Sequence, residues 1–358
     1  MSFAGIFLLV FFISALSILL LTPFAVKFGL VDMPNAERKF HKGEIPLIGG
    51  VSMFAGLVMG ISLFITPNNS SLTYLVCSSI IVALGVTDDV KDLSPRLRLF
   101  VQMVVAALMC AGSGMYIHYL GTMFGTPAGV DLAEALGYLV TMLAVLAAIN
   151  AFNMIDGIDG LLGISSLVTF VSMGFLFSQN NDITNMKLTL ILSGALVPYL
   201  IANLAGGVQE KEKRISKIFM GDTGSMLIGF TVVWLLIQGT QPSPEELANA
   251  KSVSFSAATA LWLIAFPLMD MARVIVDRTL RGHSPLKADR THLHHILLQC
   301  GDGKQIALVK ISTLSAFFAA TGIAMHVSGF QEVTIFLTFL AAFALYTVRV
   351  RQLQLKTA

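Results

Sequence analysis

The chain has 358 residues, of which 55% are hydrophobic and 12% are charged, and its mean hydropathy is +0.79. Because soluble domains carry about 25% charged residues, this composition excludes a water-soluble globular enzyme and a disordered chain. The net charge of +2 gives no overall attraction for a polyanion, which argues against a nucleic-acid partner. The composition predicts an integral membrane protein embedded in the lipid bilayer.

The first apolar run covers residues 3–26, and no Lys or Arg precedes Lys27. A signal peptide would open with a basic segment and would have a shorter apolar core, so this run predicts a first spanning helix. A bilayer core of roughly 30 Å needs about 20 apolar residues per helix. Eleven runs come close to this length, and they lie near 3–26, 45–66, 72–87, 99–117, 135–152, 161–178, 188–205, 224–239, 255–276, 306–327 and 333–348.

The longest polar stretch is about 277–305, so no separate soluble domain is expected. The sequence predicts an all-α polytopic membrane protein, with residues 1–358 forming a single domain of eleven transmembrane helices. If the N-terminus lies outside the cell, 21 of the 23 basic residues fall in alternate loops or in the C-terminal tail, and only Lys187 and Lys251 do not. Positive charge marks the inner side, so the C-terminus is expected in the cytoplasm. The inner catalytic loops would lie near 27–46, 88–98, 150–160, 206–223 and 277–305.

Carboxylates form two polar clusters on this inner side, within residues 88–92 and 150–160. Asp88 and Asp92 are four residues apart, and Asp156 and Asp159 are three apart, so on helices each pair would share a face. Carboxylates at a membrane boundary are costly and usually functional. Their oxygens suit Mg²⁺ or Mn²⁺, although solvated charges that cap helix ends remain an alternative.

A third inner cluster, Gly221-Asp222-Thr223-Gly224-Ser225, opens the eighth apolar run. A glycine-rich turn that leads into a helix can bind an anion or orient a carboxylate toward a metal ion. A simple helix cap made by Thr223 or Ser225 is the alternative.

The fourth cluster, residues 278–295, is rich in hydrogen-bond donors. His292, His294 and His295 accompany several arginines, and no Cys or Glu nearby completes a zinc site. Guanidinium and imidazole groups bind phosphoryl oxygens well, so we expect a phosphate-binding loop, with a basic loop that merely contacts anionic lipid as the alternative. Acids that hold a divalent cation, opposite such a loop, favour phosphoryl transfer between a lipid and a soluble phosphate compound.

These four clusters, together with residues 267–271, resemble the matching segments of the polyprenyl-phosphate N-acetylhexosamine-1-phosphate transferases, and specifically of their bacterial undecaprenyl-phosphate GlcNAc-1-phosphate branch. The resemblance covers essentially the whole chain. It implies transfer of GlcNAc-1-phosphate from UDP-GlcNAc to undecaprenyl phosphate, with release of UMP and with Mg²⁺ or Mn²⁺ as cofactor. It also implies an active site on the cytoplasmic face of the bacterial inner membrane, a periplasmic N-terminus, and a product that starts O-antigen or enterobacterial common antigen synthesis.

The resemblance further implies residue roles. Asp88 and Asp89 would bind and deprotonate the lipid phosphate, with Asp88 as the favoured base. Asp222 would ligate the metal ion, with Asn153 as a second ligand. A lipid phosphate is already ionised at neutral pH, so the alternative is that Asp88 and Asp89 only orient it. The implied substrate-binding residues, which seat the uridine diphosphate, pyrophosphate and sugar, are Asp156, Asp159, Arg278, His292, His294 and His295.

Three other functions remain as alternatives. The MurNAc-pentapeptide transferase of peptidoglycan synthesis has a similar acid pair, but its histidine motif is an unbroken run, whereas Leu293 interrupts the motif here. A prenyltransferase would use the Asp-rich motifs but would leave the histidine loop unexplained. A secondary transporter would place its ionisable groups near the midplane of the bilayer and often shows internal repeats. The sequence leaves a homodimer open, and it gives Asp270 no role beyond pairing with Arg273.

Overall fold

The computed structural model describes residues 2–33, 43–205, 216–242, 253–284 and 290–357, so parts of three predicted cytosolic loops (34–42, 206–215 and 285–289) lie outside the described residues. The regular secondary structure of the described chain is helical apart from one short antiparallel pair, β1 (Val31–Asp32) with β2 (Ile45–Pro46), and an isolated bridge between Tyr119 and Asp131. Its helices are α1 (Phe3–Phe28), α2 (Gly49–Phe64), α3 (Asn69–Lys91), α4 (Pro95–Ser113), α5 (Glu134–Met154), α6 (Leu161–Gln179), α7 (Ile183–Ala205), α8 (Gly221–Thr240), α9 (Ala257–Leu263), α10 (Ala265–Leu280), α11 (Leu293–Gln299), α12 (Lys304–Val327) and α13 (Glu332–Thr357).

Within the described ranges, nine helices are long and apolar enough to cross a bilayer: α1, α3 to α8, α12 and α13. The pair α9 and α10 would make a tenth span if counted as one, although the two helices meet at 84°. The remaining apolar run forms α2, which has 16 residues. This confirms a helical, multi-pass membrane protein, whereas the count of eleven spans stays a prediction.

The sharp bend between α9 and α10 follows from Pro267. Proline has no N–H to donate to the carbonyl of Leu263 four residues earlier, and in a continuous helix its ring would collide with that carbonyl. The Leu263 carbonyl accepts instead from Thr169 Oγ1 of α6, at 3.1 Å. The bend therefore starts a new helix, and α10 carries the buried charged residues Asp270, Arg273 and Arg278.

Helix α8 is the centre of the bundle. In the most apolar 18-residue stretch of α8, 94% of the residues are buried, compared with 22% in the corresponding stretches of α1 and α13. Helix α8 packs against α2, α3, α5 and α6. A helix that is apolar on all sides belongs in a core, whereas exposed apolar faces in a membrane protein contact lipid. The first turn of α8 therefore places Asp222 where several helix ends meet.

Two glycines allow neighbouring helices to approach the start of α8 closely. A Cβ atom at Gly85 of α3 would collide with the backbone of Thr223, and one at Gly50 of α2 would collide with Gly224. The amides of Gly49 and Gly50 also donate to the carbonyls of residues 219 and 220, at 3.0 and 3.1 Å. These contacts fix the glycine-rich turn on two helices at once.

Candidate active site

Asp89, at the end of α3, holds the first turn of α8. Its Oδ1 accepts from the amide of Asp222 at 2.7 Å, and its Oδ2 accepts from the hydroxyl and the amide of Thr223 at 2.7 and 3.2 Å. Amides in a first helical turn have no partner within the helix, and the helix dipole favours a negative charge there. The N-cap residue of α8, Met220, makes no capping hydrogen bond with its side chain. Asp89 therefore caps α8 from another helix.

Asp222 is fixed from its other side by Asn153, in the last turn of α5. The Asn153 amide donates to Asp222 Oδ1 at 2.5 Å and to Ser225 Oγ at 2.8 Å. The side chain of Asp222 remains 35% exposed. The structure therefore places a carboxylate that substrates can reach at the mouth of the central helix, with an amide beside it.

Asp88 makes a buried ion pair with Arg98. Arg98 Nη1 lies 2.7 Å from Asp88 Oδ2, the amide of Leu93 donates to Asp88 Oδ1 at 2.8 Å, and the Asp88 side chain is 1% exposed. The same Nη1 lies 3.8 Å from Asp222 Oδ2. One guanidinium thus connects Asp88 to Asp222, and Arg98 was not among the site residues predicted from the sequence.

The position of Arg98 follows from the turn between α3 and α4. Asp92 ends α3 in the left-handed conformation, with φ of 50°, and its amide donates to the carbonyl of Asp88 at 2.8 Å. Pro95 then begins α4 after a turn of three residues, and one helical turn later Arg98 faces Asp88. The helix ends too early for Asp88 and Asp92 to share a face, so that expectation was wrong, and Asp92 serves as a helix cap.

Residues 155–160 form a series of turns between α5 and α6. The expectation that Asp156 and Asp159 share a helical face was therefore wrong. Gly160 adopts φ of 78°, and its amide donates to Asn203 Oδ1 at 2.7 Å. The Asn203 amide donates in turn to the carbonyl of Ile218 at 3.0 Å. Buried Asn203, which sequence reasoning missed, therefore ties this turn to the segment before α8.

The two acids of the turn have different environments. Asp159 pairs with Lys217 Nζ at 2.7 Å. The side chain of Asp156 is exposed, yet the surrounding protein displaces bulk water from it, and the charges of Asp222, Asp89 and Asp159 repel its negative form. Desolvation first, and this repulsion second, raise the pKa of Asp156 to about 7. Near neutral pH the protonated and ionised forms of Asp156 are therefore both populated.

The histidine motif packs against this turn. A Cβ atom at Gly157 would collide with the His294 ring, so glycine is needed for the contact. His294 is 1% exposed, and neither of its ring nitrogens has a hydrogen-bond partner in the described residues. Burial, with the nearby His295 and His292, lowers the pKa of His294 to about 3, so its ring is neutral at physiological pH.

The other two histidines of the fourth cluster lie close to His294. The ring centroids of His294 and His295 are 4.1 Å apart, and those of His292 and His294 are 5.9 Å apart. Arg278, near the end of α10, is 5% exposed. Direct contacts join the first three clusters at Asp222, and the contact of His294 with Gly157 adds the fourth.

The oxygen donors here fit a hard divalent cation. No group of three or more His, Cys, Asp or Glu side chains with metal-binding geometry occurs in the described part of the chain, which disfavours a zinc centre. Magnesium commonly takes one or two protein oxygens and completes its shell with water and substrate phosphates. Asp222 and the side-chain oxygen of Asn153 could supply those protein ligands.

Comparison with known proteins gives a consistent result. Residues 71–240 match the model of glycosyl transferase family 4. The chain is 41% identical over 340 residues to the undecaprenyl-phosphate alpha-N-acetylglucosaminyl 1-phosphate transferase of Salmonella typhi, covering 94% of this chain and 88% of that protein. Proteins of the same name from Yersinia pestis and Escherichia coli strain K12 are 40% and 38% identical over 323 and 325 residues, each covering 90% of this chain and 84% of the relative.

Proposed function

This chain belongs to the family of undecaprenyl-phosphate alpha-N-acetylglucosaminyl 1-phosphate transferases, and we propose that it transfers GlcNAc-1-phosphate from UDP-GlcNAc to undecaprenyl phosphate. The products are undecaprenyl-diphosphate-GlcNAc and UMP. The observation that carries the proposal is the convergence at Asp222, where Asp89, Asn153 and Arg98 meet from three other helices. An acidic centre with an adjacent guanidinium and a histidine loop suits a reaction in which one phosphate attacks another.

The acceptor side is assigned to Asp88 and Arg98. In the reaction, an oxygen of the lipid phosphate attacks the phosphorus that carries GlcNAc, and UMP leaves with the electrons of the broken P–O bond. Asp88 holds Arg98 close to Asp222, and a guanidinium binds phosphate oxygens with two parallel hydrogen bonds. A lipid phosphate that still carries a proton would transfer it to Asp88 as Arg98 turns to the phosphate. Both oxygens of Asp89 are engaged by α8, so we assign Asp89 to positioning Asp222.

The cofactor in this proposal is Mg²⁺ or Mn²⁺, held by Asp222 and Asn153. When bound, the cation would offset negative charge on the pyrophosphate oxygens. The support is electrostatic, because Asp89 and Asp222 lie close enough to Asp156 for their negative charges to raise its pKa. A dianionic donor and a lipid phosphate add to that negative charge, so positive charge is needed to bring the two substrates together.

The donor side comprises the turn 155–160 and the histidine loop. We assign Asp156 and Asp159 to seating the uridine diphosphate, with Arg278, His292, His294 and His295 binding the pyrophosphate and the sugar. The neutral His294 would donate a hydrogen bond to a phosphate oxygen without itself titrating near pH 7.

The site is proposed to face the cytoplasm of a bacterial inner membrane, with the N-terminus in the periplasm and eleven spans in total. The ends of α3 and α5 and the starts of α4, α6 and α8 meet at the site, as alternating spans require. Basic residues accumulate in the loops on this side. The lipid-linked product would begin O-antigen or enterobacterial common antigen synthesis.

The proposal can be tested with purified full-length protein in detergent. Radiolabelled sugar should move from UDP-GlcNAc into undecaprenyl phosphate, with one UMP released per lipid product and a requirement for Mg²⁺ or Mn²⁺. UDP-GalNAc and UDP-MurNAc-pentapeptide serve as alternative donors. Faster transfer from UDP-MurNAc-pentapeptide would favour the peptidoglycan reaction instead, and labelled lipid without UMP release would exclude the proposed bond cleavage.

A further inference from the structure

Asp270 lies on α10 with 0% exposure, and four hydrogen-bond donors surround its carboxylate. Its Oδ2 lies 2.7 Å from His292 Nδ1. Its Oδ1 accepts from the Tyr346 hydroxyl at 2.8 Å, from the Leu293 amide at 3.1 Å and from Arg273 Nη2 at 3.2 Å. A buried carboxylate is stable only when its oxygens are satisfied, and here four donors satisfy them.

This arrangement fixes the protonation pattern of the His292 ring. A carboxylate can only accept, so Nδ1 of His292 must carry the hydrogen of this bond. The other ring nitrogen, Nε2, makes no hydrogen bond within the described part of the chain, so it retains its hydrogen-bonding capacity for a ligand.

The same cluster also fixes the backbone that enters α11. Arg273 Nη2 donates to the carbonyl of Thr291, the residue before His292, while Arg273 Nη1 lies 3.4 Å from Asp277. Tyr346 belongs to α13, the last helix of the chain, which therefore takes part in holding the histidine loop. Ring, backbone and supporting helix are thus joined through a single carboxylate.

We infer that Asp270 is a positioning residue, which orients His292 through Nδ1 so that Nε2 points to the phosphates of the sugar-nucleotide donor. Tyr346 supports it by holding the carboxylate in place. The choice of ligand rests on the proposed function, whereas the orientation of the ring does not. Asp270 itself contacts no substrate in this scheme, and its effect passes through His292.

The first test reads the ring directly, without activity. Full-length protein labelled with ¹⁵N-histidine in detergent is measured by NMR, and the His292 signals are assigned with His292→Gln. The wild type should show Nδ1 protonated, and Asp270→Asn should change both ring nitrogen shifts of His292. Asp277→Asn is the matched control, because it removes the other carboxylate near Arg273 without contacting His292. Unchanged His292 shifts in Asp270→Asn would overturn the inference.

The second test is a double-mutant cycle with Asp270→Asn and His292→Gln. Asp270→Asn alone should lower kcat/KM for UDP-GlcNAc by roughly 10²-fold, as loss of an orienting carboxylate does, with the KM for undecaprenyl phosphate unchanged. In the His292→Gln background, Asp270→Asn should lower kcat/KM for UDP-GlcNAc by less than about 3-fold further, because the ring through which Asp270 acts is absent. Equal costs in both backgrounds would mean that Asp270 acts only on the fold.

Two variants keep the result interpretable. Tyr346→Phe removes one of the four donors to Asp270 and should lower kcat/KM for UDP-GlcNAc by about 3-fold to 10-fold, so it replaces Asp270→Asn if that protein does not fold. An unchanged kcat/KM in Tyr346→Phe would contradict the supporting role of α13. If the wild type transfers no GlcNAc-1-phosphate, the proposed function fails, while the NMR measurement still decides the orientation of His292.

Discussion

Replacing Asp222 by Asn removes one negative charge from the centre of the site while changing the side-chain volume very little. The new amide oxygen can still accept the hydrogen bond from Asn153 that now ends at Asp222 Oδ1. The change also weakens the contact with Arg98, which lies 3.8 Å away from a side chain that is 35% exposed. Exposed pairs of this kind contribute less than about 1 kcal/mol, so we expect the fold to be kept.

The effect on the reaction should be far larger. Loss of a metal-ligating charge that acts in the transition state should lower kcat by about 10³-fold or more, which corresponds to about 4 kcal/mol. The assay is steady-state transfer from UDP-GlcNAc at saturating Mg²⁺, with thermal unfolding measured on the same samples.

Asp182→Asn provides the matched control. Asp182 precedes α7, and its carboxylate accepts from the backbone and side-chain amides of Asn185, at 3.0 and 2.7 Å. The length of α6, about 28 Å, separates it from the site. This variant should keep the wild-type rate. A near-normal rate for Asp222→Asn at ordinary Mg²⁺ concentrations would refute the assignment of Asp222 to the metal ion.

Three further outcomes are expected. Arg278→Ala should lower kcat/KM for UDP-GlcNAc by about 10²-fold to 10³-fold with an unchanged KM for undecaprenyl phosphate; weakened lipid saturation with a normal donor constant would assign the loop to the wrong substrate. The folded-state pKa of Asp156, about 7, lies above its ordinary value of 3.8, so the destabilisation is absent below about pH 4, grows as the pH rises toward 7 and is complete above it. Asp156→Asn should therefore raise the melting temperature relative to wild type most at pH 8, less at pH 5.5 and least near pH 4 in metal-free buffer; equal differences at all three pH values would contradict the raised pKa. A membrane-impermeant thiol reagent applied to intact cells should label Thr126→Cys but not Lys304→Cys in a background without native cysteines, and the reverse pattern would invert the topology.

The apolar runs predicted most helices well, because a lipid environment imposes length and hydrophobicity on each span. The run 161–178, for example, became Leu161–Gln179. The second run was misjudged at its start, since Ile45 and Pro46 pair with β1 and the helix begins only at Gly49. The ninth run was read as one helix although Pro267 lies inside it, so a signal for the 84° bend was present in the sequence.

The chemistry of the site was predictable as residue types, but the contacts between them were not. Asp88, Asp89, Asp156 and Asp222 stand out because charges are rare in this chain. Whether Asp89 caps α8, or Arg98 faces Asp88, depends on how helices distant in sequence pack together, and no local pattern encodes it. For the same reason Asn203 was missed, and Asp270 was given no role beyond its pairing with Arg273, since partners such as Gly160 and Tyr346 are distant in sequence.

The ion pairs of the carboxylates also separate acids that the protein itself neutralises from acids that it does not. Asp88, Asp159 and Asp270 each have a basic partner within 3.2 Å, whereas Asp156 has no ion pair in the described ranges and Asp222 has only Arg98, at 3.8 Å. Buried or half-buried carboxylates left without full neutralisation are costly unless something else supplies positive charge or a proton. The pKa of Asp156 is accordingly raised, and the side chain of Asp222 stays 35% exposed. The position of this unneutralised charge beside Asn153 is the physical argument for the proposal that a divalent cation binds here together with the donor.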